Sequence, residues 1–253
     1  MSQRCIFSSD SPLSYFAVTV VFNPSSNKPS ATMTEGYRIQ LLPRLHHDPS
    51  VWTQIIERQK ILRLQSLQLS PESFSSTYAR ETKFTEKDWE ARLQNPLAFT
   101  FVAVGPPGET AEGLGDDDLL NGVWVGMVVL IGPFIQVRSL AQNDLGREEK
   151  GKEQRPVRPQ YDYRIDGLIV LPQARRLGLG KALLMSAIDH ADAFGRKNGA
   201  AEVNITLSVY SGNSNALVLY QKVGFQLTNG GKDTLDHSNT TDMACKYQYV
   251  YDT

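Results

Sequence analysis

The stretch Gly167-Leu168-Ile169-Val170-Leu171-Pro172-Gln173-Ala174-Arg175-Arg176-Leu177-Gly178-Leu179-Gly180-Lys181-Ala182-Leu183-Leu184-Met185 decides how this chain is read. A β-rich apolar run passes through a Pro/Arg/Gly turn into a helix-forming run. A helix that opens at a glycine pair leaves its first backbone N–H groups unpaired at the positive end of the helix dipole, which makes an anion site. From Gly167 to Ile188 there is no Asp or Glu, while Arg175, Arg176 and Lys181 fall inside that window. Geometry and charge both point to a phosphorylated ligand. The dinucleotide fingerprint G-x-G-x-x-G needs a third glycine where this chain has Leu183, and a P-loop needs a Gly-Lys-Ser/Thr ending that is absent here. A glycine turn that binds nothing is the competing reading of this block taken alone.

A second block follows one helix and one strand later. Val203, Ile205, Leu207 and Val209 alternate with Asn204, Thr206 and Ser208, and then comes Tyr210-Ser211-Gly212-Asn213-Ser214-Asn215-Ala216-Leu217-Val218-Leu219-Tyr220-Gln221-Lys222-Val223-Gly224-Phe225. Period two, an Asn-rich break and a short helix that stops at Gly224 read as strand, cap, helix, stop.

Together the two blocks resemble the GNAT superfamily of N-acetyltransferases. The family's loop R/Q-x-x-G-x-G/A is matched by Arg175, Gly178 and Gly180. Its second block N-x-x-A-x-x-L-Y-x-K-x-G-F is matched by Asn213, Ala216, Leu219, Tyr220, Lys222, Gly224 and Phe225. The resemblance implies an α/β (α+β) fold with a mixed, mostly antiparallel sheet of about seven strands, splayed between strands four and five and flanked by helices. It implies acetyl-CoA as cosubstrate and an acetyl group moved to an amine by direct attack on the thioester; the alternative is a CoA-binding GNAT-like module without turnover. Backbone of Leu168, Ile169 and Val170 would pair with the pantetheine arm. Arg175, Arg176, Leu177, Gly178, Leu179, Gly180 and Lys181 would hold the pyrophosphate, and Asn213 and Asn215 are further cofactor candidates, with helix capping the first job of Asn213. Gly167 would mark the bulge at which the two strands part.

Tyr220 aligns with the family's general acid, since a phenol of pKa near 10 can donate to a departing thiolate of pKa about 8.5. A boundary aromatic packed beside Leu219 is the plain alternative. The family has no fixed base. Asp166 is the candidate here, on the face of Leu168 and Val170 if no bulge intervenes, and an ion pair with Arg164 is its competing role. His190 reads as a groove histidine on a helix that leads away from the thioester.

Composition bounds the rest. In 253 residues, 41% are hydrophobic and 21% charged, and Lys+Arg 26 against Asp+Glu 27 gives a net charge of −1. That is an ordinary globular protein without the basic stripe of a nucleic-acid binder or a membrane footprint. Cys5 and Cys245 neither build a disulfide framework nor have metal-ligand spacing, so no metal and a reducing compartment are expected, cytoplasmic with the nucleus also open. The apolar run Tyr15 to Phe22 is shorter than a bilayer span and lacks a clean cleavage site after it.

Residues 1–36 read as a poorly ordered N-terminal extension, linker-like from Asn23 to Thr34, and residues 37–253 as one domain with loop insertions at 105–122 and 134–160. Within it, Tyr37, Ile39 and Leu41 suit a first strand, and Trp52, Ile55, Ile56, Gln59 and Leu62 have helical spacing. Ser70-Pro71-Glu72 reads as an N-cap with proline behind it, and Thr85 with Asp88 as a capping box. Ala98–Val104 and Val123–Ile131 read as a hairpin, and the runs 225–228 and 243–250 as closing strands. The acceptor is an amine on a small molecule, a peptide or a protein; monomer and homodimer are both compatible with the sequence.

Overall fold

The computed structural model describes residues 15–21, 36–107, 118–136, 158–210, 212–228 and 244–250. Its elements run β1 (Tyr15–Val21), β2 (Arg38–Leu41), α1 (Pro49–Leu69), α2 (Tyr78–Glu81), α3 (Glu86–Gln94), β3 (Ala98–Pro107), α4 (Asp118–Asn121), β4 (Gly122–Gln136), β5 (Gln160–Val170), α5 (Leu179–Lys197), β6 (Glu202–Tyr210), α6 (Ser214–Val223), β7 (Gln226–Thr228) and β8 (Ala244–Val250). The strands form one sheet in the order β2-β3-β4-β5-β6-β1-β8-β7, with an additional β6–β8 pairing. The pairs β5–β6 and β1–β8 are parallel and the others antiparallel. The mixed, mostly antiparallel α/β architecture expected from the sequence is therefore present. Among the described residues eight strands stand where about seven were expected.

The extra strand is β1. Its residues were read above as part of a poorly ordered extension; its backbone pairs antiparallel with the end of β6 and parallel with β8. Tyr-Phe-Ala-Val-Thr-Val-Val is rich in aromatic and β-branched residues, the composition that fits a pleated surface, and this local preference outweighs the linker character of the residues after it. The insertions also begin later than expected: β3 reaches Pro107, and β4 runs through Phe134 to Gln136. Most of both insertions lies outside the described residues, as do residues 22–35 of the extension.

Two apolar clusters cover the two faces. On one face α5 buries Leu179, Leu183, Leu184, Ala187, Ile188 and Ala191 against Tyr161, Tyr163 and Ile165 of β5 and Val203, Ile205 and Leu207 of β6. On the other, α1 packs Trp52, Ile55 and Leu62 on Val102, Val104, Met127 and Ile169. Both helices keep their apolar residues on one stripe, which is what fixes them to the sheet. Asp48 caps α1, accepting from Ser50 N–H and Val51 N–H, and the Thr85–Asp88 capping box starts α3 as read from the sequence. Ser70-Pro71-Glu72 makes only a 3-10 turn, Pro71–Ser73, without a side-chain cap bond.

The sheet opens between β5 and β6. β5 and β6 pair from Gln160/Glu202 to Ile165/Leu207 and no further, although β5 continues to Val170 and β6 to Tyr210. These are strands four and five of the sequence count, so the expected splay is there. Its cause is on the other edge of β5. Asp166 pairs with Val129 and Ile169 with Met127, so Val128 alone faces both Gly167 and Leu168, and Gly167 takes φ 61°. This is a β-bulge, and it bends the strand away from β6.

The bulge also corrects one assignment. One extra residue shifts the alternation, so Leu168 and Val170 pack on the α5 cluster with Ile165, while Ile169 turns to the α1 cluster. Asp166 is thus on the α1 face and not on the face of Leu168 and Val170.

Candidate active site

The turn after β5 is shaped by backbone conformation. Pro172–Ala174 forms a 3-10 turn, Arg176 takes φ 68°, and Gly178, in the left-handed region at φ 77°, is the N-cap of α5. No side chain caps α5 and no acidic residue lies in its first turn. Its leading N–H groups therefore face outward with a partial positive charge, as the sequence implied. Leu179 is buried and Leu177 half-buried, so they anchor the loop by side chain and offer only backbone, while Arg176 and Gly178 are exposed and Lys181 half-buried on the first turn. At Gly180 an added Cβ would sit 3.0 Å from Leu219 Cδ2. The missing side chain lets α6 close on the start of α5.

Arg175 is placed differently from a simple anion hook. Its Nε donates to the Val170 carbonyl at 3.0 Å and its Nη2 to Ser70 Oγ at 3.0 Å. Leu171 N–H donates to Val125 O on β4. Across a trans peptide the Val170 carbonyl points the opposite way, into the splay, so Arg175 covers one of the edge groups that Leu168, Ile169 and Val170 were expected to offer.

On the β6 side, Asn213 caps α6 by accepting from Ala216 N–H at 3.1 Å, and its Nδ2 donates to Ser73 Oγ at 3.4 Å. Asn215 is exposed in the first turn of α6. Tyr220 is only 8% exposed and meets Phe225 edge to face, with ring centroids 5.9 Å apart. Through Leu219 and Gly180 its helix closes on the start of α5. Asp166 forms a bidentate ion pair with Arg164, Nη2 to Oδ2 at 2.9 Å and Nε to Oδ1 at 3.0 Å, both side chains nearly half exposed. His190 lies away from this site, its ring tilted against Phe99 with centroids 4.3 Å apart. Burial first, and the Arg44 charge second, lower its pKa.

Sequence reading missed the α1 side of the cleft. Glu81 is fully buried and bound by Arg63 through Nε at 3.0 Å and Nη2 at 2.8 Å, and by Arg92 through Nη1 at 3.1 Å. Burial alone would raise its pKa. The hydrogen bond and charge of Arg63, the charge of Arg92 and a Ser76 hydrogen bond outweigh it and hold the carboxyl below its usual range. The Arg63 guanidinium lies over the Phe74 ring at 4.7 Å, and its Nη1 is 3.9 Å from where a Cβ on Gly167 would be. The partners are 18 residues apart on α1 and α2, with no periodicity or motif to link them. Among the described residues no His/Cys/Asp/Glu group could hold a metal ion, and no helix is long and apolar enough to cross a membrane.

Residues 148–227 match the family model of the acetyltransferase (GNAT) domain. That range takes in β5, α5, β6, α6 and most of β7, the elements that build the cleft, and it bears out the resemblance read from Arg175 to Phe225. Over those residues the chain is similar to the GNAT acetyltransferase domain. No curated protein matches it. Among solved structures it is similar to Arabidopsis thaliana NAA60 in complex with acetyl-CoA, at 15% identity over 85% of this chain and 98% of that one, with a TM-score of 0.45. The GNAT domain of S. lividans PAT is similar at 12% identity over 84% and 90%, with a TM-score of 0.47. Likeness of that degree adds nothing to the match over 148–227.

Proposed function

We propose that the protein is an acetyl-CoA-dependent N-acetyltransferase. The observation that carries this reading is the cleft between β5 and β6, which opens at the Gly167 bulge directly before the uncapped α5 N-terminus. Acetyl-CoA fits both parts. Its pyrophosphate would take the N–H groups of Leu177 to Lys181, with Arg176 and Lys181 adding charge. The pantetheine would lie along the β5 edge at Leu168 to Val170 once Arg175 leaves the Val170 carbonyl for the phosphates.

The acceptor amine nitrogen attacks the thioester carbon, the C–S bond breaks, and Tyr220 gives its phenolic proton to the leaving thiolate. The amine loses a proton, which Asp166 takes directly or through water when its fork with Arg164 opens, and solvent returns a proton to Tyr220. The products are an N-acetyl amide and free CoA. We place the reaction in the cytoplasm. Asn215 is a further candidate for a CoA contact.

The burial of Tyr220 supports a second reading, a module that binds CoA without turnover, in which the ring serves packing, as against Phe225. One substitution separates the two. Tyr220→Phe keeps the ring, so CoA affinity by calorimetry should hold while thiol release on an accepted amine falls by on the order of 10²-fold. Full turnover in Tyr220→Phe would assign the proton to another group. Tight CoA binding with no thiol release on a broad set of amines and peptides would favour the module.

A further inference from the structure

We propose that Arg63 is a specificity-determining residue that takes the carboxylate of an amine acceptor, so that the substrate class is amino acids or peptide-like amines carrying a free carboxylate. This rests on the acetyl-transfer reading above and adds the acceptor to it.

Two contacts and one close approach set the end of α1 and the turn after it over the mouth of the splay. Arg175 on the phosphate side reaches Ser70 at 3.0 Å, Asn213 on the β6 side reaches Ser73 at 3.4 Å, and Arg63 Nη1 stands 3.9 Å from the Cβ position of Gly167 at the bulge. The α1 face of the cleft, opposite the packed α5 face, is therefore where an acceptor meets the thioester. Arg63 stands at that opening, where Arg175 is engaged by the Val170 carbonyl and Ser70. Arg164 on the same face is already forked onto Asp166.

A guanidinium has two edges that can each hold a carboxylate by parallel N–H donors. Glu81 occupies only the Nε/Nη2 edge of Arg63. The end edge, with one proton of Nη1 and the second of Nη2, makes no hydrogen bond among the described residues. Phe74 against one guanidinium face and Glu81 at the side hold the group in one orientation, and its side chain is 11% exposed. Arg63 and Arg92 share the one buried carboxylate of Glu81, and Arg92, 36% exposed, also faces Asp88. The Arg63 end, 11% exposed, keeps protons that an anionic partner can take in a charge-assisted pair. A bidentate carboxylate satisfies the free edge. A polyamine or other purely cationic acceptor would meet repulsion instead.

The test uses the whole protein saturated with CoA and matched ligand pairs, α- and ω-amino acids against their primary amides, titrated calorimetrically. The carboxylate member of at least one pair should bind about tenfold or more tighter than its amide. Arg63→Met alone would leave Glu81 short of its main partner, so the variant measured is Arg63→Met with Glu81→Gln, checked for a parental far-UV spectrum. In it the preference should fall to near one, with affinity for the amide and for CoA unchanged. Arg63→Lys, which keeps the charge without the second fork, should lose most of the preference. No pair favouring the carboxylate, or a preference that survives the double variant, overturns the proposal. Failure of CoA to bind would instead count against acetyl transfer, and the same pairs titrated without CoA would still report on Arg63.

Discussion

Gly126 on β4 and Gly167 in the β5 bulge should fail for different reasons when alanine replaces them. At Gly126 an added Cβ would lie 2.7 Å from the Ile169 carbonyl oxygen, 3.2 Å from Leu183 Cδ1 and 3.3 Å from Val170 Cγ2. Carbon approaches a carbonyl oxygen to about 3.3 Å, so β5 has to retreat by roughly 0.6 Å against the packed α5. Overpacking of this kind costs about 1–3 kcal/mol. For a chain of this size that is a fall in melting temperature of about 2 to 12 °C. Because β5 itself moves, the edge at Val170 moves too, and CoA affinity should drop with stability. At Gly167 the added methyl meets only Arg63 Nη1 at 3.9 Å, and the whole cost is φ 61°. Left-handed backbone costs an L-residue about 1–2 kcal/mol, paid without shifting the strand. Gly167→Ala should thus lower the melting temperature while CoA affinity stays closer to the parent. Scanning calorimetry and CoA titration of both variants read this out. A Gly126→Ala protein with parental melting temperature and affinity would refute the claim that the β4–β5 contact sets the opening of the cleft.

Further expected outcomes follow from other contacts. A chain begun at Met33 loses the pairing of β1 with β6 and β8, and its melting temperature should drop by several degrees; an unchanged melt would show that β1 adds nothing to the domain. His190 has a lowered pKa in the fold, so the unfolded chain binds its proton more readily. Its contribution is complete above the unfolded value of about 6.5 and is lost as pH falls below it, and His190→Phe should flatten the melting profile from pH 7 to 5, which thermal scans across that range will check. Asn213→Ala removes the cap on Ala216 N–H and should cost about 1 kcal/mol by urea unfolding.

Much of the site was legible because its chemistry is local. The Arg175–Gly180 turn, the Asn213 cap and the Thr85–Asp88 box each specify backbone within a few residues, and each lies where its spacing put it. Gly167 could be read as a bulge for the same reason. The face of Asp166 could not, since alternation counted along β5 gives the wrong side once one residue is added, and the addition is visible only from β4. Arg63 and Glu81 were hidden by distance in sequence. Nothing near either residue says that α2 folds back on α1, and a fully buried Glu looks in sequence like any surface carboxylate. β1 was hidden by its neighbours, whose Ser, Pro and Asn content drew the reading of the whole segment.

The bond from Arg175 to the Val170 carbonyl gives the kinetics of the cleft a particular form. A ligand that pairs with this edge does not simply dock; it substitutes for a partner already in place. The exchange has a first-order step, the departure of the arginine. Observed association rates should then rise with ligand concentration and level off at a plateau set by that departure, and weakening the second anchor at Ser70 should lift the plateau.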